Sequence, residues 1–255
     1  MSTPWIFDQA HYGTLNTARD HMLRNLLPEL KQHFDLKTAL DLGCGLGHFA
    51  HFLHSFGLNV LAIDGRTENV EEAKRRYPDV NFQLGDAQEA TLAQLGSFDL
   101  VFCFGLLYHL ENPFRVIRSI AALATKVALV ESVVYPSSVP AMVLMDESNS
   151  LDQGLDHVAF YPSESCLIKM FHLADFSNCY SPDNMPEHDG YRLGSNGFRQ
   201  RTVLVASKRP IDSSGFVSLP RNPTFGPWAM MPLYPARRIV AAYRLFDRLF
   251  RDERS

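Results

Sequence analysis

The residues with the clearest chemical meaning form the run Asp41-Leu42-Gly43-Cys44-Gly45-Leu46-Gly47. An acid is followed by three glycines at alternate positions, so the backbone can turn tightly and let a ligand approach closely. A short apolar segment, Thr38-Ala39-Leu40, precedes the run, and a helical pattern from His48 to Phe56 follows it. The order strand, glycine turn, helix aims the free N–H groups of the helix start at one spot. An acid at the strand end suits a ligand carrying positive charge or hydrogen-bond donors. The run therefore predicts a nucleotide-type pocket, with a glycine turn serving only helix–strand packing as the alternative. Two phosphate-binding patterns do not fit. The dinucleotide fingerprint needs its third glycine three positions after its second, where this chain has His48. A phosphate loop ends in Gly-Lys-Ser/Thr, which the run lacks.

The elements that must position these residues alternate between strand and helix. Residues 14–33 read as a helix, with Leu15, Ala18, Met22, Leu26 and Leu30 near helical spacing and Pro28 expected to kink or divide it. Strands are expected at 39–42, 59–64, 80–84, 98–104 and 127–134. Helices are expected at 67–77, capped by Thr67 and stopped by Pro78, and at 113–124. This alternation predicts a parallel sheet with helices on both faces. Residues 135–162 read as an irregular acid-rich cap. A helix starting at Pro162-Ser163-Glu164-Ser165 runs to about Ala174, and two more strands are expected at 177–180 and 201–207. The polar loop 181–200 between them could form a lid or substrate wall.

Ligands on such sheets bind outside the carboxyl ends of the strands. The first end supplies the glycine loop, including Cys44. The second supplies Asp64 and Gly65, and a carboxylate there can accept from both hydroxyls of a ribose. The third supplies Asp86 and Ala87, suited to an exocyclic amine and a ring edge. The fourth supplies Cys103-Phe104-Gly105 and then Leu106-Leu107-Tyr108-His109. Each acid alone is equally a helix cap. Acids in register at successive strand ends point to a binding site.

In these residues the stretch from Asp41 to Val134 resembles the core of class I S-adenosylmethionine-dependent methyltransferases. The resemblance implies a Rossmann-like α/β fold: a seven-stranded, mostly parallel sheet whose last strand runs antiparallel. It implies S-adenosylmethionine as cofactor. Asp41 and the loop Gly43, Cys44, Gly45 and Gly47 would hold the methionine part, Asp64 the ribose, and Asp86 and Ala87 the adenine, with Gly65 and Phe104 also expected at the cofactor. A narrower likeness runs through Gly105 to His109, Asn112-Pro113, Glu131-Ser132, Tyr161-Pro162-Ser163 and Arg201 to Ser207. In order, these resemble the catalytic domain of the tRNA wobble-uridine carboxymethyltransferases. In that family the positions matching Tyr108 and Arg201 recognise the extra carboxylate of a carboxylated donor. The large basic N-terminal region of those enzymes has no counterpart here, which separates the domain from their substrate.

Candidates for managing the acceptor's proton are His109, Glu131 and, in the cap, His157, with Tyr108 beside them. His109 follows the fourth strand, near where the methyl should emerge, and imidazole as a group can accept a proton near neutral pH; a structural histidine is the alternative. Glu131 is an acid within an apolar strand, costly unless paired; a partner for a buried arginine is the alternative. His157 reads as a solvated loop histidine. The acids Asp146, Glu147, Asp152 and Asp156 raise the question of Mg²⁺. Their spacing matches no metal motif, so a solvated acidic loop without metal is expected.

With 24 Lys and Arg against 28 Asp and Glu, the net charge is −4, which argues against a broad nucleic-acid surface. No apolar run is long enough for a transmembrane helix. Four cysteines without metal spacing, and a start without signal-peptide character, suggest a cytoplasmic protein. Residues 1–210 are expected to form the methyltransferase domain. Residues 211–255 form an extension whose helix at 236–251 is amphipathic and arginine-rich, suited to core packing, a homodimer or peripheral membrane contact. The expected function is methyl transfer to a small-molecule acceptor, most readily a hydroxyl oxygen. The alternatives are a tRNA-modifying methyl- or carboxymethyltransferase, or a non-catalytic S-adenosylmethionine-binding protein.

Overall fold

The computed structural model describes residues 5–221. In chain order the elements are α1 (Ala10–Phe34), β1 (Thr38–Leu42), α2 (His48–Ser55), β2 (Asn59–Asp64), α3 (Thr67–Arg76) and β3 (Asn81–Leu84). Then follow β4 (Phe98–Phe104), α4 (Pro113–Leu123), β5 (Ala124–Val133), β6 (Met142–Asp146), β7 (Val158–Pro162), α5 (Glu164–Leu173), β8 (Asn178–Pro182), β9 (Arg201–Ser207) and β10 (Phe216–Ser218). One eight-stranded sheet has the order β10-β8-β9-β5-β4-β1-β2-β3. The five strands from β3 to β5 are parallel, and β9 runs antiparallel between β5 and β8. These are the seven expected strands, with the seventh reversed. The added eighth, β10, pairs antiparallel with β8 and carries the sheet past residue 210, where composition alone places the boundary.

The period-two alternation of strands divides the core into two layers. Phe102, Phe104, Leu129, Val203 and Val205 face α1, α2 and α3. Val101, Cys103, Val130, Leu204 and Ala206 face α4 and α5. Burying one such large side chain contributes about 1.5–3 kcal/mol, so these layers dominate the stability of the fold. The same parity sends Glu131, two residues after Leu129, and Arg201, two before Val203, toward α1. There the buried stripe Leu15, Met22, Leu23, Leu26 and Leu30 is interrupted by Arg19. A charge placed in such a layer requires a partner.

Three local expectations change. α1 continues through Pro28. The ring removes one ladder bond, but burial of Leu23, Leu26, Leu27 and Leu30 around it holds the helix together. Thr67 begins α3 rather than capping it, and the nearby acceptor is Asp64, which takes hydrogen bonds from the Arg66 N–H and from Asn69 Nδ2, both at 3.0 Å. The cap is not wholly irregular, because β6 and β7 form an antiparallel hairpin from Met142 opposite Pro162 to Asp146 opposite Val158. Met142, Leu144 and Met145 are all exposed, so β6 has no buried face and no period-two signature. The 236–251 helix lies outside the described residues. Among those described, no helix is long and apolar enough to cross a membrane.

Candidate functional site

The loops after β1, β2, β3 and β4 converge on one cavity of about 220 Å³. Of the residues singled out in the sequence, Gly43, Cys44, Gly45, Asp64, Gly65, Asp86, Ala87, Phe104, Tyr108 and His109 line it. Asp41, Gly47 and Glu131 do not, each for a physical reason.

The glycine loop is held from beneath. The amides of Gly43 and Cys44 both donate to Ile63 O at 2.9 Å, Gly45 N donates to Asp64 Oδ2 at 2.9 Å, and Gly47 N donates to Cys44 O at 2.9 Å. A phosphate-binding loop needs such amides free for the anion. Here they are spent inside the protein, which leaves a close-approach surface suited to an uncharged or cationic group. Gly43 and Gly45 have φ of +73° and +52°, the left-handed region that glycine enters freely. Gly47, expected at the ligand, serves packing instead. A Cβ there would lie 2.6 Å from Phe82 Cζ.

Asp64 has two jobs. Oδ2 holds the Gly45 amide, while Oδ1 takes the bonds from Arg66 N and Asn69 Nδ2. A carboxylate offers about four acceptor sites, so one remains on Oδ2 for a ligand. Asp86 likewise holds its own turn, accepting from Gln88 N at 2.8 Å.

Asp41 lies under the loop, 2% exposed, with Oδ2 unpartnered. Burial first, and the neighbouring Asp64 charge second, push its carboxyl up to about 8, against a bond from the Ala50 amide. A raised acid keeps its proton in the folded state while the unfolded chain has lost it. Stability therefore falls as pH rises between the ordinary value of 3.8 and about 8, and is flat beyond either end. Asp41→Asn is expected to remove this slope in denaturant midpoints measured from pH 5 to 9. Equal slopes in both proteins would show that Asp41 is ionised in the fold.

Glu131, expected as a base, is 0% exposed and locked. Its Oε2 accepts from Arg19 Nη2 at 2.8 Å, and its Oε1 accepts from Arg201 Nη1 and the Tyr191 hydroxyl, both at 2.9 Å. Burial opposes ionisation, yet the charges of Arg19 and Arg201 hold the carboxyl below its usual range. This is the arginine-partner alternative. Arg19 also reaches Tyr191 Oη through Nε at 3.0 Å, and Arg201 lies over the Tyr108 ring at 5.4 Å. Two arginines share one carboxylate, so the cluster keeps one net positive charge. Arg19, Arg201 and Tyr108 all line the cavity.

His109 takes a different partner from any the sequence suggests. Its Nδ1 lies 2.5 Å from Glu147 Oε1, and Gly154 N donates to Glu147 Oε2 at 2.8 Å. The Glu147 side chain is 2% exposed, so the expected solvated acidic loop does not describe it. Burial opposes its charge, but the bond from His109 and the Gly154 amide hold it below the usual carboxylate range. An ionised carboxylate only accepts, so Nδ1 is the donor of this pair, and in the neutral ring Nε2 is the nitrogen without a proton. Asp152 accepts from the Tyr12 hydroxyl at 2.6 Å, and His157 is an exposed loop residue. Among the described residues no group of three or more His, Cys, Asp or Glu could hold a metal ion. The four cysteines are free, and burial raises each thiol, Cys179 to about 12, which disfavours the thiolate.

Sequence reading missed the wall built by α1, where Tyr12, Leu15, Asn16 and Arg19 line the cavity. The signal for Arg19 is its place in an apolar stripe, four residues after Leu15 and three before Met22. Glu147 leaves no such signal.

A family model described as a methyltransferase domain matches residues 40–126. Over 97 residues the chain is 34% identical to the ubiquinone biosynthesis O-methyltransferase of Colwellia psychrerythraea, covering 36% of this chain and 39% of that protein. It is 33% identical over 103 residues to the enzyme of the same name from Xanthomonas oryzae pv. oryzae, covering 38% and 43%. The match thus spans about two fifths of these relatives. Among solved structures, the N-terminal domain of EvdMO1 with bound S-adenosylhomocysteine aligns with a TM-score of 0.59 at 19% identity, covering 77% of this chain and 81% of that one. Magnesium protoporphyrin IX methyltransferase from Synechocystis, also with S-adenosylhomocysteine bound, aligns at 0.55 and 18% identity, covering 82% and 90%. These structural likenesses establish the fold. Residues 40–126 thus match a methyltransferase-domain model, and the chain shares its fold with solved structures that hold S-adenosylhomocysteine. The matches do not bear on the narrower wobble-uridine resemblance.

Proposed function

We propose that the chain transfers the methyl group of S-adenosylmethionine to a hydroxyl oxygen of a small molecule. The observation that carries this reading is a carboxylate-paired histidine, His109 with Glu147, on the wall of the cavity that holds the glycine loop and the strand-end acids. The residues fit the cofactor. Gly43 to Gly45 offer a cradle without side chains, and the free acceptor on Asp64 suits a ribose hydroxyl. Asp86, Ala87 and Phe104 frame a place for the adenine, and the unpartnered oxygen of Asp41 lies beneath the loop. Bound there, S-adenosylmethionine supplies a methyl group made electrophilic by its sulfonium.

The chain's own task is orientation and removal of one proton. Orientation is worth up to about 7–11 kcal/mol in ideal cases. His109 Nε2 would take the hydroxyl proton as the acceptor oxygen bonds to the methyl carbon and the sulfur–methyl bond breaks with its electron pair left on sulfur, and Glu147 would stabilise the resulting imidazolium. A carboxylate acceptor would need no base, so the dyad favours a hydroxyl. The ubiquinone biosynthesis O-methyltransferases, matched over part of their length, support an oxygen acceptor.

A second reading rests on Tyr108 and Arg201, which face the same cavity with their groups 3.5 Å apart. A carboxylated donor would place its extra charge on that pair, as the wobble-uridine resemblance implies. The net charge of −4 speaks against tRNA as acceptor.

The test incubates the full chain with methyl-labelled S-adenosylmethionine and separate pools of phenolic, carboxylic and tRNA acceptors. Label in a phenolic ether supports the proposal. Label only in esters or in RNA overturns the hydroxyl assignment.

A further inference from the structure

The loop joining β6 to β7, residues 147–157, touches α1 and the loops after β2, β3 and β4. Tyr12 of α1 bonds to Asp152. Arg66, after β2, donates from Nη2 to Gln153 O at 3.2 Å and Gly154 O at 3.0 Å. Gln88, after β3, reaches Asp156 Oδ2 at 2.6 Å. The loop thus lies across the same strand ends that frame the cofactor cavity, and Glu147 at its root is the partner of His109. Gly154 is packed so tightly that a Cβ would overlap the His109 carbonyl and come within 2.8 Å of Glu147 Oε2.

We infer that Glu147 is the positioning residue of the base, and that seating this loop assembles the base. The inference rests on the methyltransferase reading and deepens it. Oε1 fixes the Nδ1–H tautomer of His109. Oε2 binds the Gly154 amide, in the segment that Arg66 holds over the cavity. Loop closure and base orientation are therefore one event. With the loop lifted, Glu147 loses the amide that aims it, and His109 loses the acceptor that selects its tautomer. The titratable and charged groups next to His109 are Glu147 and Asp152 from the loop and Tyr108, whose ring lies 4.1 Å from it, with Tyr12 of α1 behind Asp152 and Tyr161 of β7 behind Tyr108. Glu147 alone among them bonds to the ring.

The test uses the full chain, Glu147→Gln and Gly154→Ala, with S-adenosylhomocysteine as the binding probe. Nitrogen-15 NMR of the histidine rings reads the tautomer. Calorimetry reads affinity, and labelled S-adenosylmethionine with phenolic acceptors reads turnover. In wild type, His109 is expected as the Nδ1–H tautomer with a low-field, slowly exchanging proton. Glu147→Gln loses the charge-assisted bond. Its kcat is expected to fall about 10²-fold, the cost of a misplaced group, with the acidic limb of the pH–rate profile moved to lower pH. Its affinity for S-adenosylhomocysteine stays within about twofold, since Glu147 is not among the residues on the cavity wall. Gly154→Ala is expected to reproduce the loss of the NMR signal with both residues of the pair unsubstituted, because its Cβ crowds the His109 carbonyl and Glu147 Oε2 and unseats the loop. An Nε2–H tautomer in wild type, or a signal and kcat unchanged in Glu147→Gln, overturns the inference. A wild-type chain that binds no S-adenosylhomocysteine overturns the methyltransferase reading instead, while the NMR signal still decides the role of Glu147.

Discussion

Turnover of His109→Ala is expected to fall by about 10²–10⁴-fold, the usual contribution of a general base. Affinity for S-adenosylmethionine should change little, because the groups proposed to hold the cofactor are those of the loops after β1, β2 and β3 together with Phe104 at the end of β4, and His109 is not among them. The split is diagnostic. An equal loss in kcat and in kcat/KM marks a group that acts only in the transition state. The variant also leaves Glu147 buried beside a void, so it is expected to lose some stability, and thermal midpoints must accompany the kinetics. His109→Gln supplies the control, since it fills the space without a basic nitrogen. If either variant turned over the true acceptor at nearly the wild-type rate, His109 would be a structural residue and the proton would leave by another route.

The second large effect is thermodynamic. Glu131→Ala strands Arg19 and Arg201 in the layer between α1 and the sheet. Removing one partner of a buried ion pair typically costs about 3–5 kcal/mol. For a chain of this size that corresponds to roughly 10 °C in Tm. Glu131→Gln keeps the shape but not the charge, and leaves two cations sharing a neutral amide, so most of the loss should persist. Replacing Arg19 and Glu131 together by methionine and leucine should cost less than Glu131→Ala alone, because the uncompensated charge at Arg19 disappears. Denaturant midpoints measure all three. A loss below about 1 kcal/mol in Glu131→Ala would mean that water reaches the arginines and that the cluster is not the closed network its distances describe.

How far the sequence carries depends on the range of the interactions. β1 to β5 are legible because each is a short apolar run ending in a distinctive residue, and local periodicity sets both faces. The glycine loop is legible because Gly43 and Gly45 occupy backbone conformations that other residues avoid. Asp64 is readable as a ligand or as a cap, and the structure shows its oxygens holding Gly45, Arg66 and Asn69 on the wall of the cavity. Glu131 was readable only as an ambiguity, because its partners lie 112 and 70 positions away. Arg19 was available as a charge in an apolar stripe. Glu147 was not available at all. It sits in a run of acids that looks solvated, and only the fold of the β6–β7 hairpin brings it onto His109. Short exposed strands such as β6 carry no periodic pattern, so the element that completes the site is also the one least visible in the chain.

The most direct measurement is a crystal structure of the full chain grown with S-adenosylhomocysteine. The expected result is density across the tips of β1 to β4, with a ribose hydroxyl on Asp64 Oδ2, the adenine beside Asp86 and Ala87, and the thioether facing His109. Density at another place on the molecule, with those four tips untouched, would contradict it.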